Sequence, residues 1–370
     1  MVDSGHGRPT KRPGQAISLS AAVIAFLAGA LICVAGLRAF DWDPSVFLHL
    51  GVDDRATVDF ARDRLGSVVV FPGKGHDGKF FFVQATDPWL RDSELLLELL
   101  DRPAYRAQRF LYPAVGWLGS PLGPWGVVWA LLVVNVVWLG LGTWATAELG
   151  RQLEISPWWG LAFGLNPGML SELVIDGSGL MAWGLGVAGL LAVTRRRHGK
   201  AVLCFAGAAL AREAMVLVAL GVALYLWWRQ SKPALHLVVV PATAVASWGL
   251  YVRWRLGLAP STFDSQSLGA PLEGFTQALR SWPAAPLSLL MGLASALLVI
   301  MVLYQAVAKA SLLVWSGVGF ALMAPFLASA VWLNIFDISR ALAPLYTTFA
   351  LAAARRTATS DITGGWTSAW

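Results

Sequence analysis

Charge is scarce in this chain. Only 14% of its 370 residues are Asp, Glu, Lys or Arg, whereas 56% are hydrophobic and the mean hydropathy is +0.60. A soluble domain carries about 25% charged residues, so the shortage excludes a soluble enzyme and a disordered chain. Cysteine is nearly missing. Cys33 and Cys204 both lie inside apolar runs, which excludes a disulfide scaffold and a thiolate metal site. Period-two alternation is lacking, so an outer-membrane barrel is excluded as well. No Gly-rich phosphate loop follows a strand, and nucleotide-sugar binding is not implied. The net charge of +6 is too small and too scattered to be a nucleic-acid signal.

What is present is a series of apolar runs, several of roughly 20 residues, the length an α-helix needs to cross a bilayer. The chain therefore reads as an all-α polytopic membrane protein. Spans are expected near 17–37, 124–147, 156–171, 173–194, 201–211, 214–228, 234–252, 286–307, 311–333 and 338–354, about ten in all. They divide the chain into an N-terminal tail 1–16, a first helix 17–37, an outer loop 38–123, a helical bundle 124–354 and a C-terminal tail 355–370. With ten spans, Arg8, Lys11, Arg12, Arg151, Arg195, Arg196, Arg197, Lys200, Arg229, Lys232, Lys309, Arg355 and Arg356 fall on one side, which the positive-inside rule makes cytoplasmic. Most acids fall on the other. A single helix over 201–228 would give nine spans instead. It would run about 42 Å through a core of about 30 Å and leave Arg212 and Glu213 at mid-membrane, so a break there is favoured.

The outer loop carries the most suggestive chemistry. Gly73, Gly75 and Gly78 surround His76 and Asp77, and the run Phe80–Phe82 is expected to anchor this turn on the membrane surface. A partly desolvated carboxylate there could take a proton from a hydroxyl; an ordinary Gly-Asp turn is the plainer reading. Asp41 and Asp43 form a D-x-D after the first span, which would suit a divalent cation or a helix-end turn. Arg106 and Arg109 could grip a phosphate or snorkel to lipid headgroups.

Three further points lie at or near span ends. Asn166-Pro167-Gly168 breaks a helix just before Glu172 and Asp176, and irregular backbone at membrane depth implies a pocket. Ser178 and Gly179 then open a helix whose N-terminus suits an anion, with Asp176 as an alternative cap. Arg212-Glu213 and Asp337-Ile338-Ser339-Arg340 complete the set. Acids and arginines at one membrane face suit a substrate with a phosphate in the headgroup plane.

The stretch Asp77-Gly78-Lys79-Phe80-Phe81-Phe82 with Asp87-Pro88, and Tyr105-Arg106 with Gln108-Arg109-Phe110-Leu111-Tyr112-Pro113, resembles bacterial membrane proteins of the GT-C glycosyltransferase superfamily. Leu210-Ala211-Arg212-Glu213 and Ser339-Arg340-Ala341-Leu342 fit the same pattern. The resemblance implies a GT-C-like bundle in a bacterial cytoplasmic membrane, with a large extracytoplasmic first loop carrying surface helices. It implies transfer of a sugar, such as mannose, from a polyprenyl-phosphate donor to a lipid or glycan acceptor, with inversion. Asp77 would be the general base. Arg340, Arg212, Arg109 and Arg106 would hold the donor phosphate, and His76, Lys79, Glu172, Asp176 and Glu213 would contact substrate. Asp41 and Asp43 are alternative catalytic acids. No cofactor is required, and a divalent cation is optional. The sequence departs from the family pattern at His76 for Tyr, Lys79 for Gln and Phe81-Phe82 for Tyr-Tyr. A transporter or flippase of a lipid-linked substrate and a non-catalytic protein of the same plan are the rival readings.

Overall fold

The computed structural model describes residues 13–229, 235–259, 267–282, 285–308 and 311–364. Arg8, Lys11, Arg12, Lys232, Lys309 and the side chain of Arg356 lie outside the described residues. The fold is nearly all helical. Four helices are long and apolar enough to cross a membrane: Gly14–Ala39, Pro124–Gln152, His236–Leu256 and Pro286–Ala308. Shorter apolar helices cover Gly179–Thr194, His198–Ala211, Glu213–Trp228 and Leu312–Phe326. Large apolar side chains such as Leu31, Leu203 and Val307 face outward, Val307 being 91% exposed. Such a surface suits lipid rather than water.

Helix α1 (Pro13–Ala39) packs on α7 (Pro124–Gln152), α7 on α10 (Gly179–Thr194), and α10 on α11 (His198–Ala211). On the other side, α12 (Val216–Trp228) packs on α16 (Leu312–Met323), which also meets α15 (Pro286–Ala308) and α19 (Ala343–Gly364). Helix α13 (His236–Leu256) lies against α11 and α12.

Three expected spans are interrupted. Residues 157–174 form a 3-10 turn, a four-residue α8 (Leu161–Gly164) and α9 (Pro167–Val174). Pro167 cannot continue a helix from the preceding turn, and Asn166 caps α9 by accepting from the Gly168 N–H at 2.9 Å. The run near 311–333 ends α16 at Met323 and continues through a 3-10 turn at Ala324–Phe326 to α17 (Ser329–Trp332). The last run divides into α18 (Ile335–Ala341) and α19. Gly168 brings α9 against α18, because a Cβ there would lie 2.1 Å from the Ser339 carbonyl oxygen. The 201–228 stretch breaks at Arg212, which is extended (φ −156°, ψ 115°) between α11 and the 3-10 turn Glu213–Met215.

The segment 40–123 is built from short elements. Asp43 caps a 3-10 turn at Pro44–Leu48 by accepting from the Ser45 N–H. Strands β1 (Leu50–Gly51) and β2 (Val70–Phe71) pair in parallel around α2 (Arg55–Leu65). Then follow α3 (Gly78–Thr86), α4 (Ser93–Leu99), α5 (Pro103–Ala107) and α6 (Leu111–Gly116). Phe80, Phe81 and Phe82 are buried rather than spread on a membrane surface. Phe81 meets Tyr112 edge to face at 5.0 Å, so the run joins the core between α3 and α6. The loop is also tied to α13. Trp248 Nε1 donates to the Ala107 carbonyl at 2.7 Å, Tyr251 Oη to Trp89 at 2.6 Å, and Arg255 Nε to Leu90 at 2.8 Å.

Gly78 shows how closely loop and bundle meet. A Cβ there would sit 2.6 Å from the Phe47 carbonyl oxygen and 2.7 Å from that of Ile175. Both neighbours are backbone and cannot rotate away. Gly78→Ala is therefore expected to destabilise the protein by about 1–3 kcal/mol, the usual cost of overpacking. Thermal unfolding of the detergent-solubilised variant checks this, and an unchanged midpoint would contradict it.

Candidate active site

The segment leading to Asp77 is fixed by backbone. Gly73 and Gly75 adopt positive φ (+81° and +71°), and a Cβ on Gly75 would lie 2.1 Å from the His49 carbonyl oxygen. That same oxygen accepts from the His76 N–H at 3.0 Å. The His49 ring stacks on Phe71 and meets the His76 ring edge to face at 4.8 Å. Burial, then the neighbouring His76, pushes the His49 imidazole down to about 4. The folded loop thus prefers neutral His49, while the unfolded chain takes up a proton below its ordinary 6.5. The stability of this clip should fall as pH drops from 6.5 through about 4. Hydrogen-exchange protection in residues 49–76, taken relative to the intrinsic exchange rate at each pH, should fall over that window, and His49→Asn should flatten the fall.

Asp77 begins α3 but does not cap it with its side chain. The carboxylate instead points at three guanidinium groups. Oδ1 accepts from Arg106 Nη1 at 2.7 Å, Oδ2 accepts from Arg340 Nη2 at 2.6 Å, and Arg109 Nη1 stands 3.8 Å from Oδ2. Each arginine is braced elsewhere. Arg106 donates Nε and Nη2 to Asp101, at 2.9 and 3.1 Å. Arg109 donates Nε to Glu213 at 3.3 Å and Nη2 to Tyr105 Oη. Arg340 donates Nε to Glu172 at 2.9 Å and Nη1 to Asp337 at 3.3 Å. Aromatic faces add to the packing: Arg106 lies 4.3 Å over Phe80, and Arg109 lies 4.9 Å over Tyr105.

Glu172 anchors the bundle side. Its Oε1 accepts from both Arg340 and Arg212 at 2.9 Å, and its Oε2 accepts from the Gly179 N–H at 2.9 Å. The anion at the N-terminus of α10 is thus a carboxylate of this chain. A Cβ on Gly179 would lie 2.4 Å from that carboxyl carbon, so glycine is what lets Glu172 reach the helix end.

These groups border a cavity of about 540 Å³ lined in part by His76, Asp77, Lys79, Arg106, Arg109, Arg212 and Arg340. Asp77 is half-buried, whereas Arg106, Arg109 and Arg340 are buried. Burial alone would raise the Asp77 carboxyl, but Arg106, Arg340 and Arg109 outweigh it and hold the group well below the usual carboxylate range.

The other expected residues are distributed more widely. Lys79 borders the cavity, yet its ammonium is buried against Asp54 and the Lys74 carbonyl. Glu172 and Glu213 stand behind the arginines as their partners rather than along the cavity wall. Asp176 is fully buried away from it and accepts from Tyr112 Oη at 2.7 Å and Asn135 Nδ2 at 2.9 Å; it does not cap α10. Asp41 is exposed in a positive-φ turn, Asp43 caps the following turn, and neither lines the cavity. Among the described residues, no group of three or more His, Cys, Asp or Glu could hold a metal ion. Asp101, which braces Arg106, carries no mark in the sequence beyond standing before the Arg102-Pro103 turn.

A scan against protein-family models and searches of curated proteins and of solved structures found no match.

Proposed function

We propose that the chain is an integral-membrane glycosyltransferase of the GT-C kind. In this reading about ten helical segments cross a bacterial cytoplasmic membrane, and the cavity opens toward the extracytoplasmic face. A polyprenyl-phosphate-linked sugar is the donor, and a lipid or glycan hydroxyl is the acceptor. The observation that carries the reading is that Asp77, Arg106 and Arg109 from the outer loop, Arg212 from the α11–α12 break, and Arg340 from α18 all line a single cavity, with Asp77 facing three of these arginines.

The chemistry follows from the parts. Asp77 takes the proton of the acceptor hydroxyl as its oxygen attacks the anomeric carbon from the face opposite the phosphate. The bond from that carbon to the phosphate oxygen breaks, and the electron pair leaves with the polyprenyl phosphate. A phosphate leaving group needs charge stabilisation more than a proton, and planar guanidinium groups provide it bidentately. Displacement from the opposite face inverts the anomeric centre.

The test is incubation of purified protein with a panel of polyprenyl-phospho-sugars and candidate acceptors, read out by mass spectrometry. A glycosylated product is the expected result. Flux of a lipid-linked substrate through proteoliposomes without any transfer would instead support the transporter reading.

A further inference from the structure

Counted together with the acids directly behind it, the cavity has no surplus of positive charge with which to receive an anion. Seven cations, Lys74, Lys79, Arg102, Arg106, Arg109, Arg212 and Arg340, line it beside six acids, Asp53, Asp54, Asp77, Glu98, Asp101 and Asp337. Glu172 and Glu213 directly behind the arginines then tip the balance to acid. A phosphate added to this arrangement would join an environment already neutral to negative. Its oxygens need guanidinium N–H groups that carboxylates now hold.

One carboxylate is placed to give them up. Glu172 is pinned by two arginines and a backbone N–H, and its side chain is 1% exposed. Asp101 receives two N–H groups of one guanidinium, Asp337 accepts from Arg340 Nη1 and Glu213 from Arg109 Nε, nitrogens that Asp77 does not use. Asp77 is different: the described bonds to its oxygens come from guanidinium groups alone, and its side chain does not cap α3. Arg106, Arg109 and Arg340 are all secured through their other nitrogens, and each turns one terminal nitrogen to the same focal point.

We propose that this focal point is a phosphate site occupied in the resting protein by Asp77, and that a phosphate monoester or diester binds by exchange, taking Arg106 Nη1 and Arg340 Nη2 from the Asp77 carboxylate. Asp101, Glu172 and Asp337 hold the two guanidinium groups in place while the exchange occurs. The inference rests on reading the cavity as a phosphate-binding site. It removes a difficulty in that reading, because a carboxylate clasped by arginines is a poor base and one released from them recovers its strength. Donor binding would thereby produce the base at the moment an acceptor can use it.

The probes are polyprenyl phosphate without a sugar and inorganic phosphate, each titrated against purified protein in lipid nanodiscs. Asp77→Asn removes the competing charge and keeps the shape of the side chain. It is expected to bind polyprenyl phosphate at least about tenfold more tightly than the unaltered protein, while Arg340→Gln binds more weakly. Equal or weaker binding by Asp77→Asn overturns the exchange. A gain seen with inorganic phosphate as well marks a site for the bare anion, and a gain confined to polyprenyl phosphate marks one for the lipid. If Asp77→Asn does not fold, the unaltered protein decides: carbodiimide coupling of Asp77 to a small amine, mapped by mass spectrometry, should increase with polyprenyl phosphate, and unchanged or reduced coupling overturns the proposal. Neither probe carries a sugar, so failure of every donor to support transfer leaves this result standing, and failure of the exchange leaves the transfer assay unaffected.

Discussion

Asp77→Asn should lower sugar transfer by about 10²- to 10⁴-fold, the range general-base catalysis contributes. The amide keeps the size of the carboxylate but cannot take the acceptor's proton, so turnover should fall even though Arg106 and Arg340 are then freer to hold the donor phosphate. Asp41→Asn and Asp43→Asn are the controls. Both positions lie off the cavity, and both variants should transfer at close to the unaltered rate. Rates are compared with saturating donor in the same detergent or nanodisc. Full activity in Asp77→Asn with loss in the Asp41 or Asp43 variant would move the reacting centre to the end of α1.

Glu172→Ala should produce the largest loss of stability. The carboxylate is buried and offsets the charge of both Arg340 and Arg212. Breaking a buried ion pair by removing one partner costs about 3–5 kcal/mol, because the remaining charge is left in a poor solvent. Here two charges lose their partner, although Arg340 keeps Asp77 and Asp337. Thermal unfolding should show a clear drop in midpoint, and Glu172→Gln should recover part of it through its remaining oxygen. If Glu172→Ala unfolds at the unaltered temperature, the carboxylate is not the anchor of the bundle side of the site.

The general plan of the molecule was legible in the composition. An apolar run announces a helix because in hydrocarbon every backbone N–H and C=O must be satisfied within the segment. The break at Arg212-Glu213 was legible for the same reason, since two adjacent charges on a long helix have no inexpensive place at mid-membrane. The interruptions after Met323 and at Leu342 were not, because hydropathy is a sum over a window and does not register a 3-10 turn or a one-residue kink. Nor was the burial of Phe80–Phe82, for an aromatic run is equally at home in a core or at an interface.

In the site, the sequence marked Asp77, Arg106, Arg109, Arg212 and Arg340 through their unusual setting, and the fold brings all five to one cavity. The roles of the surrounding acids were hidden. Glu172, Glu213 and Asp101 act by bracing arginines, and which acid faces which guanidinium depends on how remote helices pack. Asp176 shows the limit of local reasoning most clearly. Its position before Ser178 and Gly179 suggested a helix cap, but the partners it meets, Tyr112 and Asn135, come from α6 and α7 far away in the chain.

The bonds from Trp248, Tyr251 and Arg255 to carbonyl oxygens at Ala107, Trp89 and Leu90, together with the backbone contact at Gly78, have a practical corollary. The segment between α1 and α7 cannot be exchanged as an interchangeable cassette. A chimera that grafts a foreign segment over 40–123 onto this scaffold would forfeit the docking of α13 and the seat of Ile175 in one step. Reprogramming by transplantation must therefore carry α13 and the α9–α10 junction along with it.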